Sequence, residues 1–209
     1  MWGGVTFNYT STLPNFSYTA TIVGSTPATK VTFYTNLISV IIGNSVETIG
    51  DYAFQDCTGL TTITIPNSVK SIGNWAFQYC TGLTSITIPD SVEIIGNGAF
   101  LGCSGLTTIT IGNSVTTIGE GVFYQCSGLT TITIPNSVET IGIGAFYGCS
   151  GLTYITIGNS VDTIGDYAFQ DCTELTTVYI ANVNLLSIQS PSDNVDFYGT
   201  SVDIRIPLN

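Results

Sequence analysis

The chain has 209 residues, with 3 basic and 14 acidic side chains and a net charge of −11 at pH 7. This negative charge opposes binding to nucleic-acid phosphates and to anionic membrane surfaces, so we expect no nucleic-acid partner. Charged residues make up 8% of the chain and hydrophobic residues 44%, so uncharged polar side chains must provide most of its solubility. No apolar run approaches the roughly 18 residues of a membrane span, and we expect no membrane insertion.

Residues 1–36 are predicted to form an N-terminal β cap. They contain the alternating stretches VTFNYT, FSYTATIVG and KVTFYT, which are typical of β-strands. Such a cap covers the end of a repeat array, where core and backbone groups would otherwise be exposed. The opening Met-Trp-Gly-Gly has neither a basic nor an apolar region, so it predicts no signal peptide. Two glycosylation sequons, at 8–10 and 15–17, matter only in a eukaryotic secretory route.

A unit of 23 residues recurs through residues 37–181. The leucines that open successive units are Leu37, Leu60, Leu83, Leu106, Leu129, Leu152 and Leu175, and every interval, such as 60 − 37, is 23 residues. This makes six whole units and a degenerate seventh. A fixed period of this length predicts a solenoid of about seven coils, in which each unit buries its apolar side chains only against its neighbours.

Eight positions of the unit, counted from the opening leucine, are predicted to face the core. In the second unit they are Leu60, Ile63, Ile65, Val69, Ile72, Ala76, Phe77 and Cys80. Alternation at positions 4 and 6 predicts a short strand, and strands of successive coils are expected to pair as a parallel sheet. The Ala-Phe-x-x-Cys spacing at positions 17, 18 and 21 is that of a single helical turn with an apolar inner side.

Six cysteines fall at position 21, one in each whole unit: Cys57, Cys80, Cys103, Cys126, Cys149 and Cys172. Parallel side chains on stacked coils lie about 4.8 Å apart, beyond the usual Cβ separation in a disulfide. We therefore expect free, buried thiols that behave as small apolar residues. A zinc site is not expected, because the chain has no histidine and no unit has two cysteines.

Beyond Leu175 the pattern loosens, and residues 182–209 are predicted to form a C-terminal cap. The polar stretch SIQSPSDNVD is inserted there, before Phe197 at the place of the repeated phenylalanine. Ile204 and Ile206 resemble the next strand, which would close the last coil.

The unit LxxIxIPxSVxxIGxxAFxxCxx resembles the BspA-like class of leucine-rich repeats, over residues 37–180 and more weakly to Pro207. The resemblance implies a β-rich leucine-rich-repeat solenoid of the α/β type, with short strands, one-turn helices and a parallel β-sheet on its concave face. It also implies a secreted or cell-surface protein of host-associated bacteria or a parasitic protist, associated with adhesion to host proteins and cells. Position 9 departs from other leucine-rich repeats in being serine, so the interior hydrogen-bond ladder must differ.

No catalytic constellation stands out, and we expect neither an enzyme nor a cofactor. Without histidine, a nucleophilic serine or cysteine lacks its usual base. The acidic residues of the units lie mainly at three positions, 11, 15 and 20: Glu47, Glu93, Glu139 and Asp162; Asp51, Glu120 and Asp166; Asp56 and Asp171. A solvated outer surface explains them, and a calcium site remains an alternative that needs several oxygens converging on one point.

The outward positions 3 and 5 of the strands are predicted to form rows of hydroxyl groups. Their members are Thr62, Thr64, Ser85, Thr87, Thr108, Thr110, Thr131, Thr133, Tyr154, Thr156, Thr177 and Tyr179. Threonine suits strands whether or not it binds anything. The functional interpretation of these rows is a protein-recognition surface centred on Tyr154 and Tyr179, since tyrosine is favoured at interfaces. A second, convex candidate comprises Tyr52, Trp75 and Tyr167.

The repeat and the lack of a catalytic constellation predict a non-enzymatic binding module that engages protein partners through its concave sheet. The resemblance implies that it lies outside the cell or at the cell surface and that its partners include host extracellular or cell-surface proteins. One alternative is a structural or self-associating segment of a longer repeat protein. Another is ice binding through the Thr-x-Thr rows, which the curvature usual for leucine-rich-repeat arrays argues against.

Overall fold

The computed structural model describes residues 5–10, 17–22, 37–182 and 203–205, with side chains described for 37–182. Within these residues the chain forms sixteen short strands: β1 (Val5–Thr10), β2 (Ser17–Ile22), β3 (Leu37–Ile42), β4 (Thr48–Ile49), β5 (Thr62–Thr64), β6 (Ser71–Ile72), β7 (Ser85–Thr87), β8 (Ile94–Ile95), β9 (Thr108–Thr110), β10 (Thr117–Ile118), β11 (Thr131–Ile134), β12 (Thr140–Ile141), β13 (Tyr154–Ile157), β14 (Thr163–Ile164), β15 (Thr177–Ile180) and β16 (Asp203–Arg205). The described part of the chain contains no helix long and apolar enough to cross a membrane.

Each of the first six coils contributes a longer strand near positions 3–6 and a two-residue strand at positions 12–13, and the described part of the seventh coil contributes the longer strand β15. The longer strands pair in parallel, with the same repeat position in register, as in Thr131 with Tyr154. Together with β1, β2 and β16, which lie outside the repeats, they form three hydrogen-bonded groups, β1-β2-β3-β5, β7-β9 and β11-β13-β15-β16. The short strands form a second parallel sheet of six strands, β14-β12-β10-β8-β6-β4. The predicted leucine-rich-repeat solenoid is confirmed, and the second sheet is a feature that the sequence interpretation missed.

The core consists of the eight predicted positions in every coil. All of these side chains from Leu37 to Ile180 are buried except Ile164, which is partly buried and packs against the others. The six phenylalanines at position 18 form one column, and adjacent ring centroids are 5.2 to 5.7 Å apart. Position 9 forms a side-chain hydrogen bond between coils in two separate places: Ser68 Oγ and Ser137 Oγ each donate at 2.7 Å to a valine carbonyl of the preceding coil.

The predicted one-turn helix is wrong, because the described coils contain tight turns in its place. Positions 16 and 20 have positive φ in all six coils, as at Tyr52 (58°) and Asp56 (60°). Left-handed residues interrupt a right-handed helical path. The N–H groups at positions 16, 18 and 20 instead donate to carbonyls of the next coil, as Phe54 does to Ala76 at 2.7 Å. The Ala-Phe-x-x-Cys spacing places three apolar side chains on one side in either arrangement, so it could not distinguish them.

Strands extend the sheet at both ends of the repeats. β2 pairs in parallel with β3 and antiparallel with β1, while β16 pairs in parallel with β15. The assignment of residues 1–36 and 182–209 as caps stays a prediction. The KVTFYT stretch from Lys30 to Thr35, the inserted polar loop and Phe197 lie outside the described residues.

Candidate functional site

The outward side chains at positions 3 and 5 share one surface of the sheet, which we call the Thr/Tyr face. Its members are those predicted above: Thr62, Thr64, Ser85, Thr87, Thr108, Thr110, Thr131, Thr133, Tyr154, Thr156, Thr177 and Tyr179. The pairing of β11 with β13 and of β13 with β15 places Thr133, Thr156 and Tyr179 in one row. Side chains from Thr62 to Tyr154 are exposed, and those of Thr156, Thr177 and Tyr179 are partly exposed.

Part of the Thr/Tyr face forms a shallow hollow of about 850 Å³ over the fourth to seventh coils. The polar side chains that line it are Thr108, Thr110, Asn113, Thr131, Thr133, Asn136, Tyr154, Thr156 and Tyr179. A second hollow of about 600 Å³ adjoins it and shares Thr110 and Asn113. The two hollows include eight of the twelve predicted residues, and neither includes Thr62, Thr64, Ser85 or Thr177.

The threonines of each coil divide into those that hold the coils together and those whose hydroxyls remain available. At position 2, the hydroxyls of Thr61, Thr107, Thr130, Thr153 and Thr176 donate to a carbonyl of the preceding coil at 2.9 to 3.4 Å. At positions 3 and 5, the only hydroxyls with a partner among the described residues are those of Thr156 and Tyr154, which pair with each other: Thr156 donates to Tyr154 Oη at 3.2 Å. The exposed rows therefore present hydroxyl groups that contribute no bond to the fold.

Tyr154 and Tyr179 lie on adjacent strands beside this hollow. The bond from Thr156 means that the Tyr154 side chain leans along its own strand, and 39% of its surface remains exposed. Tyr179 pairs with Thr156 in the sheet, so the two tyrosines flank one threonine. Among the described residues that line this hollow, none is charged.

The second predicted surface does not form as one patch. Tyr52 and Trp75 stack with ring centroids 5.0 Å apart. Tyr167 is separated from them by three coils that carry glycine at the same position: Gly98, Gly121 and Gly144.

The structure also contains an aromatic pair that the sequence analysis did not predict. Tyr124 and Tyr147, at position 19, stack with centroids 4.7 Å apart. A hydrogen bond with Asp171 raises the pKa of Tyr147, and the negative charge of that carboxylate adds to the effect. The sequence does contain a signal for this pair, because tyrosine stands at position 19 in two successive units.

The cysteines are buried free thiols, as predicted. In five coils Sγ donates to the phenylalanine carbonyl of the preceding coil, for example Cys126 to Phe100 at 3.1 Å. Burial raises the pKa of Cys57 and Cys103 to about 12. These groups are therefore neutral thiols near pH 7, whereas nucleophilic cysteines need the thiolate. The described residues also contain no group of three His, Cys, Asp or Glu side chains that could hold a metal ion.

A family model for the BspA type leucine rich repeat region matches residues 29–142 and 116–201, with six copies of the repeat. The chain belongs to the BspA-type leucine-rich-repeat family. Proteins built from leucine-rich repeats are commonly protein-interaction modules and are typically non-enzymatic. No curated protein matches this BspA-type chain.

Solved structures similar to this BspA-type chain include a leucine rich cell surface protein from Faecalibacterium prausnitzii (34% identity, TM-score 0.67, covering 85% of this chain and 54% of that one). A T. pallidum leucine rich repeat protein is 26% identical with a TM-score of 0.62, covering 96% of this chain and 78% of that one. A leucine-rich repeat protein from Bacteroides ovatus is 25% identical with a TM-score of 0.51, covering 83% and 55%. The chain thus spans about half the length of the first and third of these proteins.

Proposed function

We propose that the chain is a non-enzymatic binding module that works at a cell surface or outside the cell and engages protein partners through the Thr/Tyr face. The observation that carries this proposal is the row of exposed hydroxyls without a structural role, which borders a hollow beside Tyr154 and Tyr179. Tyrosine suits such a site because it buries a large area at a small cost in conformational entropy. The description of a similar structure as a cell surface protein supports the location.

The test is binding of the purified chain to a panel of immobilised extracellular-matrix proteins, measured by surface plasmon resonance. Tyr154→Ala and Tyr179→Ala should each raise Kd at least about tenfold, the effect of removing an interface anchor. Tyr167→Gly is the matched control, because Tyr167 is similarly exposed at 42% but lies off the Thr/Tyr face. Glycine already stands at its position in three other coils, so the backbone accepts this change.

Circular dichroism should show that all three variants remain folded, and light scattering should show a single species at the concentrations used. Unchanged affinity in both sheet-face variants would remove the proposed site. End-to-end assembly that grows with concentration would instead favour a structural or self-associating segment.

A further inference from the structure

The chemistry of the larger hollow narrows the class of ligand, and this inference rests on the function proposed above. The described residues that line it carry no charge, although the chain has a net charge of −11. A cationic peptide would find no carboxylate in this hollow, and the overall charge disfavours an anionic ligand. We propose that the hollow binds a neutral oligosaccharide carried by a partner glycoprotein.

The threonine rows match the hydroxyl groups of a sugar. Thr131 and Thr133 line the hollow, and each hydroxyl can donate one hydrogen bond and accept others. Sugar hydroxyls have the same dual capacity, so the two sets can pair without charged groups. The threonines are also held in place, because their strand pairs in register with β13 and a β-branched side chain is restricted in χ1.

Asn136 adds an oriented amide to the lining of the hollow. Its Oδ1 accepts the backbone N–H of Asn159 at 3.0 Å, which fixes the side chain. Its Nδ2 group has no partner among the described residues, and it can donate to a ligand hydroxyl. The equivalent amide of Asn113 differs, because its Nδ2 already donates to Asp90 Oδ1 at 3.3 Å.

Tyr154 supplies the apolar surface that a sugar ring also requires. Pyranose rings present a face of C–H groups, and aromatic rings are the usual protein surface on which such faces pack. The side chain of Tyr154 is held along its strand by Thr156 and remains exposed beside the hydroxyl rows. Polar rows beside an aromatic surface fit a ligand that is hydroxylated at its edges and apolar on its face.

The experiment is an array of neutral, sialylated and sulfated oligosaccharides probed with the purified chain. We expect binding to neutral members and none to anionic ones. Tyr154→Ala and Asn136→Asp should each reduce binding at least tenfold, while Tyr167→Gly leaves it unchanged. Asn136→Asp is informative because it keeps the acceptor for Asn159 N–H and removes the amide donors. Asp90 shows that aspartate fits this role, since its Oδ1 accepts Asn113 N–H at 2.8 Å.

A second measurement separates this inference from the proposed function. Any matrix glycoprotein that the chain binds is treated with enzymes that remove its glycans and is then measured again. Loss of binding supports the carbohydrate ligand. Retained binding that still depends on Tyr154 would overturn the inference and leave the protein-binding proposal standing. Binding of glycoproteins and oligosaccharides that stays unchanged in the Tyr154, Tyr179 and Asn136 variants would overturn both proposals.

Discussion

Replacing Phe123 with alanine is expected to lower the free energy of unfolding by about 4–5 kcal/mol, near the upper end for a buried phenylalanine. Phe123 is fully buried and stacks between Phe100 and Phe146, with centroid distances of 5.7 and 5.3 Å. Its neighbours cannot close the cavity, because backbone bonds hold the coils on both sides. Phe100 N–H donates to Val122 at 2.9 Å, and Phe123 N–H donates to Ala145 at 2.8 Å.

The assay is urea unfolding followed by far-ultraviolet circular dichroism, with Phe123→Leu as the matched variant. Leucine fills most of the cavity and should cost only about 1.5 kcal/mol. An alanine variant that loses less than about 2 kcal/mol, or the same amount as the leucine variant, would show that the phenylalanine column does not couple the coils. A decrease in the m-value, the slope of the unfolding free energy against urea concentration, would show that the array unfolds in separate parts.

Three further predictions concern the turns, the thiols and the Thr/Tyr face. Gly121→Ala should lower the free energy of unfolding by about 1–2 kcal/mol, because alanine is strained at the φ of 57°. The loss comes from the backbone alone, since the added Cβ lies 3.6 Å from Tyr124 Cβ and does not clash. An unchanged urea midpoint would contradict this. Cys57 and Cys103 have folded pKa values near 12 against an ordinary value of 9.0, so their contribution to stability is complete below pH 9 and is lost as pH rises toward 12. The urea midpoint should therefore fall as pH rises from 9.0 toward about 12. The six thiols should react with a thiol reagent only after denaturation, and rapid labelling at pH 7 would refute their burial. Thermal hysteresis should be absent, because the hollow and two tyrosines interrupt the flat hydroxyl array that ice binding needs, and a clear hysteresis value would promote that alternative.

Much of the fold could be predicted from the residues because burial repeats with the same period as the sequence. The buried set consists of the eight predicted positions, with Ile164 as the one partly exposed member in the described coils. The two-residue strands at positions 12–13 could not be found in this way. A pair such as Thr117–Ile118 is too short to show alternation, and its partners lie one coil away on either side.

The amino-acid sequence alone determined the coil length, the inward columns and the outward rows, because period and polarity are local properties of the chain. Tertiary structure decided which hydroxyls are free. Thr107 and Thr108 are neighbours in the chain, yet Thr107 donates to the carbonyl of Thr84 while Thr108 faces the hollow. It also decided that the turn at positions 16–20 is left-handed at two residues, since its N–H groups find their acceptors in the next coil. Both outcomes depend on hydrogen-bond partners about 23 residues away in the chain. The spacing of residues within one unit cannot identify these partners, because they lie in the neighbouring coil.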